Sequence, residues 1–301
     1  MLHERRRRPR VGPEVLKQVK AIELRTRRLV STLFSGEYRS VFRGQGLEFA
    51  EVRAYEQGDD YRSIDWNVSA RMGSPYVKTF MEERELTLLL VVDRSGSVEF
   101  GQPRPKSERA VEVAAVLALA AARQNDRVGA LMFSEGVDRV VPPAKGRAHA
   151  LRVLRDLVAF QPTHRGTNLG GALAYGARLL RHRAIVVIIS DFRATDWEQP
   201  LRRLARRHEV VAVTVDDPRE MELPDAGWVD LRDAESGLGL LVDTSHAPTR
   251  VKLRIAAEQA RLQRARIFTQ VQVDHLALRT DRPYAQALHR TFALRARRLR
   301  R

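Results

Sequence analysis

Five side chains with hard oxygen atoms stand in three separate segments of the sequence. Asp93, Ser95 and Ser97 alternate in the first segment, so a bend after Asp93 can turn all three oxygens toward one point. Thr167 stands in the second segment and Asp191 in the third. Two carboxylates and three hydroxyls, without nitrogen or sulfur, suit Mg²⁺ or Mn²⁺, which keep water ligands and leave coordination positions free. The alternative is that these residues only form turns and helix caps, with Thr167 as an N-cap.

The elements that precede these segments are able to bring them together. Leu86–Val92 and Ala184–Ser190 are nearly unbroken apolar runs, each followed by an aspartate. Such runs are typical of strands that are buried on both faces of a sheet. The second segment precedes a helix predicted over Asn168–Arg181. In open α/β sheets ligands bind beyond the carboxyl ends of the strands, where the strand order reverses. We therefore expect the three segments to meet there.

Strands and helices alternate from residue 85 to residue 301. Further strands are predicted over Val128–Phe133, Asp138–Val141 (a short antiparallel edge), Val210–Val215 and Val271–Leu278, with a hairpin over residues 228–244 that turns at Glu235-Ser236-Gly237. Further helices are predicted over Lys106–Gln124, from Gly146 through Phe160, and over Trp197–Arg207, Pro248–Phe268 and Pro283–Arg298. Because parallel strands need crossover helices, the fold class is α/β, a Rossmann-like doubly wound and mostly parallel sheet.

The first 84 residues have a different pattern. Residues 14–34 have apolar positions at helical spacing, and residues 36–82 are rich in glycine, aromatic and charged residues, which favours loops and short strands. We therefore divide the chain into an N-terminal helix with a β-rich extension over residues 1–84 and an α/β domain over residues 85–301.

Asp93-x-Ser95-x-Ser97, Thr167 and Asp191 together resemble the metal-ion-dependent adhesion site of von Willebrand factor A domains. The resemblance implies a von Willebrand factor A-like fold with a bound Mg²⁺ or Mn²⁺. Neutral hydroxyl ligands leave such an ion electron-poor, so it can recruit a carboxylate from another molecule. We expect a non-enzymatic, cation-dependent protein-interaction module.

The segment before the α/β domain resembles the bacterial family called domain of unknown function 58. The matching residues are Gly44, Gly46, Glu48, Phe49, Arg53, Tyr55, Gly58, Asp59, Asp60, Arg62, Ile64, Asp65, Trp66, Ala70, Arg71, Val77, Lys78, Glu83, Arg84 and Glu85. The resemblance implies partnership with a MoxR-type AAA+ ATPase, in a pair that acts as a chaperone or in metal insertion. Members often carry transmembrane helices upstream, and this sequence has none.

This signature also has a purely structural interpretation. Asp59, Asp60, Arg62, Asp65 and Arg71 can form ion pairs that hold a β-rich element together, since ion networks more often set geometry than do chemistry. The alternative is that they contact a partner. We expect Trp66 of the signature to pack at the junction with the sheet.

Composition and charge suggest a second function class. The chain has no cysteine and a net charge of +16, with five arginines and one glutamate in residues 1–10 and five arginines in residues 295–301. Basic ends bind nucleic acid, anionic lipid or acidic proteins, or are only solvated. The alternative to the interaction module is therefore a basic nucleic-acid-binding or membrane-surface protein. With no secretory signal and no apolar run of membrane-spanning length, we expect a cytoplasmic location.

Several catalytic signatures are absent from the sequence. It contains no phosphate-binding G-x-x-x-x-G-K-[ST] and no H-E-x-x-H zinc motif. Ser95 has no evident histidine and aspartate partners, so we expect no catalytic residues and no hydrolase activity. The acidic pair Asp216-Asp217 precedes Pro218, which favours a turn rather than a second metal site.

Overall fold

A computed structural model describes residues 12–34, 47–82, 86–102 and 104–299. The chain forms two compact units: residues 42–86 make the small unit, and residues 1–41 with 87–301 make the large unit. The signature residues Gly44, Gly46 and Glu83–Glu85, and the basic segment 1–10, lie outside the described residues.

The strands are β1 (Leu47–Ala54), β2 (Tyr76–Glu82), β3 (Thr87–Asp93), β4 (Arg127–Phe133), β5 (Val137–Ala144), β6 (Ile185–Ser190), β7 (Glu209–Asp216), β8 (Trp228–Arg232), β9 (Gly239–Asp243) and β10 (Asp274–Arg279). The helices are α1 (Pro13–Phe34), α2 (Trp66–Met72), α3 (Lys106–Arg123), α4 (Arg147–Ala159), α5 (Leu169–Leu179), α6 (Glu198–Ala205), α7 (Pro218–Met221), α8 (Ala247–Gln270) and α9 (Tyr284–Leu299). Short 3₁₀ turns cover Tyr61–Ser63 and Gly96–Glu99.

Six strands of the large unit form one sheet in the order β10-β7-β6-β3-β4-β5. All neighbours are parallel except β5, which runs antiparallel to β4. Residues 88–93 and all of β6 are buried, as expected for strands covered on both faces. The predicted α/β fold class, the two apolar strands and the antiparallel edge are confirmed. Pro142 and Pro143 fit this edge because an edge strand can leave backbone groups unpaired.

One predicted boundary shifts. The last strand begins at Asp274 rather than Val271, because α8 continues to Gln270 and Gln272 then adopts a left-handed φ of 56°. A residue in that conformation ends the helix and turns the chain before the strand begins.

Helix α1 belongs to the large unit, where it packs against α3 and α4. Its face with Val19, Ile22 and Val30 is buried. Arg25 of this helix also donates to the buried Glu112 of α3, with 3.3 Å between Nη1 and Oε1. The division at residue 84 placed this helix with the β-rich extension, and the structure groups it with the sheet instead, because its apolar face is covered by α3 and α4.

In the small unit β1 and β2 pair antiparallel. Arg53 makes a two-pronged contact with Asp59, at 2.7 and 2.9 Å. The Asp60 carboxylate caps the 3₁₀ turn that follows it, and the Asp65 carboxylate caps α2. These contacts support the structural interpretation of the signature. Trp66 stands at the first position of α2, directly after the cap, and is 70% exposed.

Within the described part of the chain, none of the helices has both the length and the apolar character needed to cross a membrane.

Candidate metal site

The first ligand segment folds back on itself at the carboxyl end of β3. Asp93 is fully buried, and its Oδ1 accepts a hydrogen bond of 2.9 Å from the backbone N–H of Ser95. The Ser95 and Ser97 hydroxyl oxygens lie 3.1 Å apart. The alternating spacing therefore brings these three side chains together, as the sequence indicated.

The third segment joins the first because β3 and β6 are neighbours in the sheet. The Ser190 hydroxyl donates to Asp93 Oδ2 at 2.6 Å and accepts from the backbone N–H of Phe192 at 3.0 Å. It thereby orients the Asp93 carboxylate and the start of the loop after β6. In the sequence Ser190 stands out only as the residue before Asp191, whose side chain is also buried.

Backbone hydrogen bonds tie the second segment to the same edge of the sheet. The N–H of Gly96 donates to the Arg165 carbonyl at 2.8 Å, and the N–H of Asn168 donates to the Ser134 carbonyl, beyond the end of β4, at 2.7 Å. Asn168, not Thr167, caps α5, because its side chain accepts from the N–H of Gly171. The Thr167 hydroxyl is thus available for other contacts, and it donates to the Glu235 carboxylate.

The two buried aspartates of the site differ in their electrostatic surroundings. Burial and the nearby Asp191 carboxylate raise the pKa of Asp93 to about 6, although hydrogen bonds from Ser190 and Ser95 act in the opposite direction. Burial also acts upward on Asp191, but the charge and hydrogen bond of Lys106 outweigh it, so the pKa of Asp191 is lowered.

Lys106, at the start of α3, is fully buried beside the site. Its Nζ donates to Asp191 Oδ2 and to Glu220 Oε1, both at 2.8 Å. Arg193 lies 3.2 Å from the other oxygen of Glu220. In the sequence Lys106 only marks the beginning of a predicted helix, because no residue near it signals a partner 85 or 114 residues away.

A second buried cation fixes the loop after β6. The Arg264 guanidinium donates to the Asp191 carbonyl and, at 2.8 Å, to Asp216 Oδ1. The neighbouring Asp217 caps α7 through a capping box and accepts from the Thr280 hydroxyl. These contacts agree with the expectation that the acidic pair is structural.

The donor set fits a hard divalent cation. Among the described residues, the hydrogen bonds onto Asp93 come from the neutral Ser95 and Ser190, so this buried carboxylate has no cation bonded to it. Buried carboxylates are normally paired with cations or bound to metal ions. The described residues include no group of three or more His, Cys, Asp or Glu suited to a metal, so the serine and threonine hydroxyls would have to contribute to any shell.

The tip of the β8–β9 hairpin also lies at this site. A Cβ added to Gly96 would stand 2.4 Å from the Ala234 carbonyl oxygen, so the two backbones are in close contact. The hairpin and its turn were predicted, and both are confirmed. Its position over the first ligand segment was not predicted, because hairpin patterns say nothing about where the turn docks.

The topology defines a Rossmann-like α/β protein in which the Asp93 and Asp191 carboxylates lie where two adjacent parallel strands of the sheet end. The chain belongs to the family described as "Protein of unknown function DUF58", which matches residues 51–265. The family resemblance seen in the sequence is thereby confirmed.

Two bacterial proteins are similar to the chain in sequence. It is 36% identical over 290 residues to the uncharacterized protein Rv1480 of Mycobacterium tuberculosis, covering 95% of this chain and 91% of that protein. It is 31% identical over 109 residues to the uncharacterized protein YeaD of Bacillus subtilis, covering 36% of this chain and 25% of that protein.

Solved structures with a similar fold are more distant in sequence. The conserved hypothetical protein BatB of Bacteroides thetaiotaomicron is 16% identical with a TM-score of 0.46, over 70% of this chain and 99% of BatB. The proximal thread matrix protein 1 of mussel byssus, solved with a zinc-occupied MIDAS motif, is 15% identical with a TM-score of 0.35, over 44% of this chain and 38% of that protein.

Proposed function

We propose that this protein is a divalent-cation-dependent protein-interaction module. Asp93, Ser95, Ser97, Thr167 and Asp191 would hold Mg²⁺ or Mn²⁺, and an acidic side chain of a partner would complete the shell. The observation that supports this most directly is the pair of buried carboxylates, Asp93 and Asp191, at the ends of adjacent parallel strands. Burial, and after it the repulsion from Asp191, raises the pKa of Asp93. A cation between them would remove that repulsion.

The chemistry of the site favours binding over catalysis. The ion would supply Lewis acidity, but hydrolysis also needs a group that accepts a proton. Lys106 is already held between Asp191 and Glu220. The Glu220 and Glu235 carboxylates are engaged as well, by Lys106 and by the Thr167 hydroxyl, so the described side chains favour gripping a carboxylate over activating water.

The partner we propose is a MoxR-type AAA+ ATPase, or a client protein that it holds. Membership of the family supports this proposal, because the resemblance of the signature segment implies such a pairing. The net charge of +16 would also steer an acidic protein face toward this chain at low salt.

The metal part of the proposal is tested by calorimetric titration of the purified protein with Mg²⁺ and with Mn²⁺. We expect one site in the wild type and none in Asp93→Ala. Asp225→Ala, which removes an exposed aspartate paired with Arg250, is the matched control and should bind like the wild type. Equal binding by Asp93→Ala and the wild type would overturn the site assignment.

The partner part is tested by capture of the purified ATPase on the immobilised full-length protein. Capture should require Mg²⁺ or Mn²⁺, disappear in EDTA, and disappear in Asp191→Ala while circular dichroism shows a folded chain. Capture that persists in EDTA would mean that the cation is not the contact. The segment from Gly44 to Arg71 would then be the better candidate surface.

A further inference from the structure

We propose that Glu235 is a built-in carboxylate ligand of this metal site, which holds the position of a partner's acidic side chain until the partner displaces it. The inference rests on the proposed function, since it assumes that the site binds a divalent cation. It adds a residue of this chain to the shell and gives the β8–β9 hairpin a regulatory role.

The hairpin turn is built in a way that presents Glu235. Asp233 Oδ1 accepts from the backbone N–H of Glu235 at 3.0 Å and from the N–H and hydroxyl of Ser236 at 2.6 and 2.8 Å. Gly237 completes the turn with a φ of 73°, which glycine adopts without strain. These bonds hold the turn in one conformation, so the Glu235 side chain has a defined direction.

That direction is toward the candidate ligands. The Glu235 carboxylate accepts a hydrogen bond from the Thr167 hydroxyl, which is one of the five predicted ligands. The preceding residue, Ala234, places its carbonyl against Gly96, between the other two hydroxyl ligands of the first segment. Glu235 therefore brings a hard oxygen to a group that would coordinate the ion.

Ala234 and Glu235, the turn residues that contact the candidate site, are more buried than the rest of the turn. Ala234 and Glu235 are half-buried, whereas Asp233, Ser236 and Gly237 are exposed. The side of the turn that faces the candidate site is thus the side that is covered.

The hairpin itself has little else to hold it. The strands β8 and β9 form a separate two-stranded sheet, and Trp228, Leu240 and Leu241 on them are 63–68% exposed. An isolated two-stranded hairpin is only marginally stable in water. Because the hairpin turn is held mainly by polar contacts at the candidate ion site, a partner carboxylate that binds the ion more strongly can displace it.

A tethered carboxylate competes with a free one. Because Glu235 is part of the same chain, its effective concentration at the site is high. A partner binds only while Glu235 is off the ion, so its apparent affinity falls in proportion to the fraction of time that Glu235 occupies the position. Removing the Glu235 charge should weaken the ion but strengthen the binding of an external carboxylate.

The test uses Mn²⁺ and the full-length protein. Water-proton relaxation counts the water molecules bound directly to Mn²⁺, so it reports an open coordination position without any activity assay. We expect Glu235→Gln to bind Mn²⁺ roughly tenfold more weakly, the scale of loss when a group supporting a metal site is removed. It should also show more water on the ion than the wild type. Glutarate, as the external carboxylate, should bind the Mn²⁺-loaded variant more tightly than the Mn²⁺-loaded wild type.

Two further variants complete the experiment. Asp230→Asn removes a carboxylate from the same hairpin, where it pairs with Arg232, and should behave like the wild type. Gly96→Ala keeps Glu235 but forces the Ala234 carbonyl away, so it should raise the water count in the same way as Glu235→Gln. Circular dichroism checks that each variant is folded.

The outcomes separate this inference from the proposed function. If the wild type binds no Mn²⁺, the proposed metal site itself fails. If the wild type binds Mn²⁺ and Asp93→Ala does not, the metal site stands. In that case an unchanged water count and unchanged glutarate affinity in Glu235→Gln would overturn the role of Glu235 alone.

Discussion

At the scale of single residues, the main feature of the site is how its buried charges are balanced. Asp93, Asp191 and Lys106 are all at most 1% exposed. Lys106 neutralises Asp191 and also contacts Glu220, which leaves Asp93 as the buried carboxylate without a bonded cation. Binding of a divalent ion would therefore not make the net charge of the site strongly positive.

We predict that Lys106→Met destabilises the protein strongly. The substitution keeps the length of the side chain but leaves Asp191 and Glu220 without their shared cation. Breaking a buried ion pair in this way typically costs about 3–5 kcal/mol. The loss should be larger in EDTA than in saturating Mg²⁺, because a bound ion compensates Asp191. Urea denaturation under both conditions measures it.

Lys252→Met is the control for this prediction, because Lys252 is exposed on α8. It should change the free energy of unfolding by less than about 0.5 kcal/mol, as surface substitutions usually do. If Lys106→Met were as stable as Lys252→Met, the buried ion pair would contribute nothing measurable.

The five residues that we propose as ligands could be singled out because two of their segments follow recognisable strands and the third precedes a recognisable helix. Ser190, Lys106 and Glu235 could not be assigned roles in the same way. Each acts on a residue far away in the chain: Ser190 on Asp93, 97 positions earlier, and Glu235 on Thr167, 68 positions earlier. Residue type alone cannot distinguish such a contact from an ordinary turn or cap.

At the scale of elements, the site is assembled where strands end and helices begin. The loop before α5 is held from both sides, since Gly96 donates to Arg165 and Asn168 donates to Ser134. Thr167 lies between those two anchors. Its position therefore depends on the helix cap directly after it.

We predict that Asn168→Ala destabilises the protein by about 1 kcal/mol, the usual effect of losing an N-cap side chain. The Asn168 side chain accepts from the N–H of Gly171 at 2.7 Å, and alanine cannot replace that bond. Chemical denaturation gives the change, and Mg²⁺ titration should show weaker binding because Thr167 is less well held. Asn168→Asp keeps a capping oxygen and should retain most of the wild-type stability. A full loss in Asn168→Asp would show that the cap is not the cause.

The positions of strands and helices along the chain were more predictable than the contacts that these elements make in the folded protein. β3 and β6 have uniform apolar runs, and uniform burial follows from their central positions in the sheet. The exposure of Trp66 was not predictable, since an aromatic residue in a signature more often packs. Ser69 fixes which side of α2 faces the rest of the small unit, because its hydroxyl accepts from the backbone N–H of Tyr76 at 2.8 Å.

At the scale of the whole molecule, the sheet has two different edges. One edge is the antiparallel β5, and the other is the parallel β10, which packs against α8 and α9. The β10 edge contains a half-buried titratable group, His275. Its ring centroid lies 4.7 Å from that of Phe268 in α8, and its Nε2 lies 3.0 Å from the Thr214 hydroxyl of β7.

His275 links the stability of this edge to pH. Burial, followed by the charge of Arg264, lowers the pKa of His275 to about 4 in the folded protein, against an ordinary value of 6.5. The unfolded chain therefore binds more protons between these two values, and protonation favours unfolding there. The group costs no stability above pH 6.5, and its full penalty is reached as the pH falls to about 4.

We predict that this group alone removes up to about 3 kcal/mol of stability between pH 6.5 and pH 4. His275→Gln keeps a polar group near Thr214 but cannot become charged, so its stability should fall less steeply over the same window. His182→Gln, which replaces an exposed histidine, is the control and should follow the wild-type curve. Other groups titrate in this range, so the quantity to compare is the difference between each variant and the wild type in urea denaturation at each pH. Parallel curves for His275→Gln and the wild type would show that protonation of His275 does not weaken the β10 edge.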